Sequence, residues 1–270
     1  MNEKIKACLL TGALGNAFGS RFEQMDLPTE GERWHFTGDT QLTMATCEAI
    51  LEHQRPQPKM VAVAFQRWYS QGQLSGLDAS TIKALVELMG GGDVAKVGAN
   101  DELAAGNGAA MRIAPLAFLL DPKVEADRDL FRNICRITHH NEEAYVGGLA
   151  VLYAIRFGQN DQQNFISNII RLLPESRVRE RLVEISQAPA MRIRDLGRKF
   201  GSSGFVVDSI PLALIAAQQA PELGIENMMK EIVAAGGDAA TNCSIAGQIA
   251  GLQLGMEAIP AEWMEMLRKT

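Results

Sequence analysis

The chain is poor in the signals that would place it in several large classes. Aromatic residues make up only 6% of its 270 residues, with three Trp and three Tyr. Its four cysteines, Cys8, Cys47, Cys135 and Cys243, have no short spacing between them, which argues against a zinc cluster or a disulfide framework and for buried thiols in a reducing compartment. No apolar run reaches the roughly 18 residues of a membrane span. The opening MNEKIKACLLTGALGNAF has a short apolar stretch broken by glycines and no cleavage pattern, so the expected location is the cytoplasm. Cations are not concentrated either. With 26 Lys+Arg against 32 Asp+Glu and a formal charge of −6, the chain lacks the dense positive surface that long nucleic acid requires. Strand signals are almost absent, the best being Gly204-Phe205-Val206-Val207, and no linker or charge block divides the sequence.

What is present is helical periodicity. At 47% hydrophobic there is ample material for a core. Apolar residues recur with helical spacing around Leu42–Leu51 and over 58–72, 77–89, 109–120, 123–138, 142–157, 161–173, 176–187, 206–219, 222–235, 241–255 and 260–269. This predicts an all-α protein folded as one domain over 1–270. Gly247, Gly251 and Gly255 fall at i, i+4 and i+8 of one expected helix, a small-residue seam for close helix packing.

Three segments join glycine, polar side chains and helix starts, the setting in which free N–H groups and carboxylates converge on a ligand. They are Phe36-Thr37-Gly38-Asp39-Thr40-Gln41, the run GNGAAMR from Gly106 to Arg112, and Gly236-Gly237-Asp238-Ala239-Ala240-Thr241-Asn242. Asp39, Thr40 and Asp238 are each placed to cap a helix. Gly106-Asn107-Gly108 precedes an expected helix whose N–H groups would face a diphosphate, or is a plain turn before a buried helix. His139 stands before a helix start at Asn141-Glu142-Glu143, and taken alone reads as structural or as a ligand-binding side chain. Phe205 reads as a core aromatic or as a stacking surface for a base. No nucleophile elbow and no dinucleotide-binding fingerprint occurs.

Taken in order, these segments resemble the ADP-ribosylglycohydrolase family. Gly12 to Gly19 with Glu23 is similar to the family's opening, Thr37 to Gln41 to its Thr-Asp-Asp-Thr-Gln motif, and Trp68 to Gly76 with Ser80-Thr81 to its next helix and turn. GNGAAMRIAP, Thr138-His139, Gly236 to Thr241 and Ile259-Pro260-x-x-Trp263 follow the later motifs. The resemblance implies a compact orthogonal helical domain that removes ADP-ribose from a protein side chain or a small molecule. It implies two Mg²⁺ ions on Thr37, Asp39, Asp238 and Thr241, and a water at the anomeric carbon served by Glu23 with Asp39. Gly106, Asn107, Gly108, Met111, His139 and Phe205 would bind the substrate. The sequence departs from the pattern at the chemistry: Gly38 and Ala240 replace expected aspartates, and Asn16 replaces another. With those carboxylates gone, one Mg²⁺ or none is expected in place of two. The alternative is a pseudoenzyme that binds ADP-ribose or a related nucleotide without cleaving it. Nothing in the sequence indicates the oligomeric state.

Overall fold

A computed structural model describes residues 2–23, 34–160 and 164–268. The architecture is all-α, as the periodicity predicts. Thirteen helices occur among the described residues. They are α1 (Asn2–Ser20), α2 (Gly38–His53), α3 (Pro58–Ser70), α4 (Ala79–Met89), α5 (Ala114–Ala117), α6 (Glu125–Arg136) and α7 (Glu142–Gln159), followed by α8 (Ile166–Leu172), α9 (Arg177–Gln187), α10 (Ile193–Phe200), α11 (Val206–Ala235), α12 (Ala239–Leu254) and α13 (Ala261–Arg268). The only strand-like pairing among the described residues is two isolated bridges, Ala99 with His139 and Gly106 with Phe205. No described helix is long and apolar enough to cross a membrane.

Local chemistry starts several helices. Asp78 accepts the Thr81 N–H at the head of α4, Asn141 accepts from Glu143 and Ala144 at α7, and Ser176 accepts from Arg179 at α9. These are short polar side chains serving N–H groups that the helix cannot pair itself.

The centre of the fold is the pair α1 and α12, joined backbone to backbone. A Cβ on Gly15 would lie 2.2 Å from the Cys243 carbonyl oxygen, one on Gly19 2.4 Å from that of Ala239, and one on Gly251 2.3 Å from that of Ala7. Numbers that rise along one helix while falling along the other make the two antiparallel. Thus the end of α1 meets the start of α12. The seam expected at Gly247 and Gly251 is present, with Gly15 and Gly19 of α1 on its far side. Gly255 is not in it: at φ 78° it terminates α12, a left-handed position that glycine adopts without strain. Near the end of α1, Phe18 stacks on Trp263 at 4.9 Å, and Trp34 meets both rings.

Three expectations are corrected. The helix expected over 109–120 is a 3₁₀ turn, Ala110–Arg112, followed by the four-residue α5. Pro115 within the run has no N–H to continue the preceding turn. The segments 206–219 and 222–235 form one run, α11, bent at Gly224 (φ 76°, ψ 160°). Helix α10 was not expected, because its eight residues carry four charges and a glycine.

Candidate functional site

The antiparallel pair brings Glu23, just past α1, against the first turn of α12. The Ala240 N–H donates to Glu23 Oε1 at 2.5 Å, across 217 sequence positions. Asp238 caps the same helix, accepting from Thr241 N–H at 3.2 Å on Oδ1 and from Asn107 Nδ2 at 2.8 Å on Oδ2. Asp39 completes the group from the start of α2. It does not cap that helix, and neither does Thr40; the cap position is Thr37, whose side chain makes no capping bond. Asp39 is buried, and its Oδ1 has no hydrogen-bond partner among the described residues.

Three carboxyls therefore share one locality, and their ionisation reflects it. Burial, then the charges of Asp238 and Glu23, push Asp39 up to about 7, with the Thr241 and Thr37 hydroxyls pulling the other way. Glu23 is also pushed up to about 7, by desolvation of its carboxyl against α12 and by Asp238, although the Ala240 N–H favours its charge. Like charges close together in a partly dry site disfavour joint ionisation. Among the described residues no three His, Cys, Asp or Glu side chains stand in a ligating arrangement, so the three share a neighbourhood rather than a coordination sphere.

Asn16 organises the first motif. Fully buried, it accepts the Thr37 N–H (2.8 Å) and the Thr40 hydroxyl (3.0 Å) on Oδ1, while Nδ2 donates to Thr37 Oγ1 (2.6 Å) and Asp39 Oδ2 (2.8 Å). The backbone donor on Oδ1 fixes which end of the amide is which. Beside it, a Cβ on Gly38 would meet Leu77 Cδ2 at 2.7 Å, so apolar side chain stands where the expected aspartate would begin.

The substrate-binding expectations fare unevenly. Gly106-Asn107-Gly108 is not a free helix N-terminus. Asn107 N–H donates to Gly204 O at 3.0 Å, Val206 N–H donates to Ala105 O at 2.9 Å, and the loop pairs with the segment before α11. The Asn107 side chain is directed at Asp238. Met111 is a core residue, 5% exposed, and its carbonyl accepts from Gln248. Phe205 is half-buried, with the Arg177 guanidinium 5.0 Å over its ring.

His139 lies behind the loop rather than on an open wall, 1% exposed. A Cβ on Gly108 would be 2.7 Å from its Cε1, and one on Gly106 3.0 Å from its Nε2. It belongs to a relay that the sequence reading missed. Buried Arg112 donates to Gly108 O (2.5 Å) and to Thr138 Oγ1 (2.7 Å), and Thr138 Oγ1 lies 2.8 Å from His139 Nδ1. The Thr138 hydroxyl thus bridges the guanidinium and the imidazole, accepting from one and hydrogen-bonded to the other. Nε2 faces Asp78 Oδ1 at 3.6 Å. Burial pulls His139 down to about 4 and Arg112 down to about 10. At neutral pH the ring is uncharged and the guanidinium charged. Burial opposes the charge of Asp78, but the Thr81 hydroxyl and N–H and the Arg112 charge outweigh it and hold the carboxyl below its usual range. A cap residue before α4 and an arginine inside an apolar run give no local sign of meeting.

A cavity of about 710 Å³ lies elsewhere, bounded by Pro58, Lys59, Gly91, Asn133, Arg136 and His140 among others, and holds none of these carboxyls.

Over residues 1–270 the chain matches the sequence profile of the ADP-ribosylglycohydrolase family. It is 25% identical to the ADP-ribosylarginine hydrolase Tri1 of Pseudomonas putida (strain GB-1), over 97% of this chain and 74% of that protein. It is 20% identical to the ADP-ribosylhydrolase ARH3 of Homo sapiens, over 97% and 88%. A solved structure described as an ADP-ribosylglycohydrolase-related protein complex superimposes with a TM-score of 0.72 at 25% identity, covering 100% of this chain and 95% of that one.

Proposed function

The chain belongs to the ADP-ribosylglycohydrolase family, a family of hydrolases of ADP-ribose linkages, and we propose that it hydrolyses the bond between the anomeric carbon of ADP-ribose and a protein side chain or small molecule. The observation that carries this reading is the convergence of Glu23 and Asp238 at the first turn of α12 with buried Asp39 beside them.

The chain's own groups supply a proton path. Glu23 lies beside Asp238, and burial together with the charge of Asp238 pushes the Glu23 carboxyl up to about 7, so it gives and takes a proton near neutral pH. Water attacks the anomeric carbon as the bond to the leaving group breaks, and the leaving atom keeps the electron pair. Glu23 takes one proton from the water and returns one to the leaving atom. The Ala240 N–H fixes Glu23 Oε1, and Asn107 fixes Asp238 Oδ2, so both carboxyls are oriented before substrate arrives. The bare backbone of Gly106 and Gly108 lets His139 pack against the loop, and with Arg112 it braces the loop that carries Asn107 to Asp238. Phe205 offers an adenine-sized face at the end of that loop.

One Mg²⁺ fits this group. Mg²⁺ accepts one or two carboxylates and keeps water for the rest, and the unpartnered, buried Asp39 Oδ1 is an acceptor without a cation. Asp39 and Asp238 with the Thr241 hydroxyl would hold it, water completing the shell, and Glu23 stays free for the proton. When bound it supplies positive charge toward the ribose hydroxyls. Thr37 is left out, since its hydroxyl is engaged by Asn16.

The test is release of ADP-ribose from a panel of mono-ADP-ribosylated proteins and small molecules, in Mg²⁺ and in EDTA. Release by the wild type is expected, and Glu23→Gln should lose roughly 10²–10⁴-fold in rate while its ADP-ribose affinity changes little. Undiminished release by Glu23→Gln refutes the role of that residue. ADP-ribose binding without any release favours the non-cleaving binder, the reading to which Gly38 and Ala240 lend weight.

A further inference from the structure

The resemblance implies two cations, and the structure departs from that at one of the two places. Thr37 Oγ1 and Asp39 Oδ2 are oxygens that the resemblance assigns to metal. Here both receive the same donor, Nδ2 of Asn16, at 2.6 and 2.8 Å. The amide cannot turn over to free them. Its Oδ1 is held by a backbone N–H and a hydroxyl, and turning would set N–H against N–H in a fully buried site. Two further oxygens are missing. Gly38 supplies none, with Leu77 filling the adjoining space, and Ala240 supplies only a backbone N–H, already given to Glu23.

We propose that the Asn16 carboxamide replaces one of the two cations, holding Thr37 and Asp39 by N–H donation, so that the centre takes a single divalent cation on its Asp238 side. An amide N–H is a weak positive pole compared with a divalent ion, but it needs no dehydration and it is covalently fixed. Oδ2 of Asp39 takes this donor at 2.8 Å and the Thr37 hydroxyl at 3.2 Å, while Oδ1 takes no hydrogen bond among the described residues. The Thr37 side of the first motif is thereby built without metal, and the one cation is left to Asp39 Oδ1 and the second motif. This rests on the single-ion reading above, and counting ions tests it without reference to hydrolysis.

Mn²⁺, counted by electron paramagnetic resonance of the free ion, and Mg²⁺-dependent melting serve as probes on the full chain. Wild type is expected to bind a single Mn²⁺. Asn16→Asp sets a carboxylate oxygen where Nδ2 now stands, 2.8 Å from Asp39 Oδ2. Two carboxylates that close, both buried, call for a proton or a cation. The variant should therefore melt lower than wild type in EDTA, regain that loss in Mg²⁺, and bind one Mn²⁺ more than wild type. Two ions on the wild type overturn the proposal, and so does a folded Asn16→Asp that neither gains an ion nor responds to Mg²⁺. If Asn16→Asp does not fold, the wild-type count alone decides. A wild type that binds no ion overturns the single-ion reading, while an ion gained by Asn16→Asp would still support the replacement.

Discussion

Two part-buried polar clusters lie on either side of the Gly106–Gly108 loop, and they are built on opposite principles. In one, Arg112, Thr138 and His139 are linked by hydrogen bonds, Asp78 lies 3.6 Å beyond the ring, and a guanidinium and a carboxylate of unlike charge stand at the two ends. In the other, Glu23, Asp39 and Asp238 put like charges together, two of them are pushed far from their ordinary ionisation, and one buried oxygen has no partner. The first set pairs unlike charges and leaves only Arg112 Nε unpartnered among the described residues, and a set so nearly satisfied rigidifies a fold. One left unsatisfied is stable only because the scaffold holds it, and such conflict marks the places where sequence has been shaped by something other than folding.

That contrast can be broken at its strongest point by Arg112→Ala. Removing a buried guanidinium orphans Gly108 O, leaves Thr138 without its donor and opens a cavity beside Phe65, and should cost about 3 to 4 kcal/mol, read as a fall in the urea midpoint at constant slope. The second way uses pH. Because His139 titrates near 4 when folded against 6.5 when unfolded, the unfolded chain binds more protons between those values. The stability that neutral His139 contributes is full above pH 6.5 and is lost as pH falls toward 4, by about 3 kcal/mol. The difference in stability between wild type and His139→Gln should therefore shrink with acidification over that window. A difference independent of pH would show that the ring titrates alike in the folded and the unfolded chain. The smallest effect is expected in the other cluster. Asp39→Asn keeps an acceptor for Asn16 Nδ2 and removes a charge from among its like, so in EDTA at neutral pH it should raise stability by roughly 1 kcal/mol. A marked loss would mean that the cluster is as well satisfied as its neighbour.

Much of the scaffold was legible in the sequence because it is local. Helical spacing marked α2 to α4, α6, α7, α9 and α11 to α13, and Gly247 with Gly251 announced a close helix contact. Short-range patterns failed where tertiary geometry overrode them. The Ala-rich run after Gly108 reads as a helix but turns as 3₁₀ before Pro115, and Gly255 keeps the seam's spacing while ending the helix. At the site, the residue types of Glu23, Asp39 and Asp238 could be singled out, but what each does with its oxygens could not. Asp39 and Asp238 look alike in sequence, an acid before an apolar helix, yet only Asp238 caps. Asn16 looked like a lost aspartate. Its amide is in fact a donor that the first motif is built around, visible only once α1 and α2 are placed together.

The backbone-to-backbone contact of α1 with α12 also sets an order of events in time. The carboxylate at the end of α1 and the N–H it accepts are made 217 positions apart, and closing so long a loop is entropically slow unless the intervening helices have already drawn its ends together. A chain still emerging during synthesis has Asn16, Thr37 and Asp39 in hand long before Asp238 exists. The amide-held first motif can therefore set early, while the acidic cluster comes into being only when the last large helix docks. Completion of the fold and completion of the chemistry are then one event.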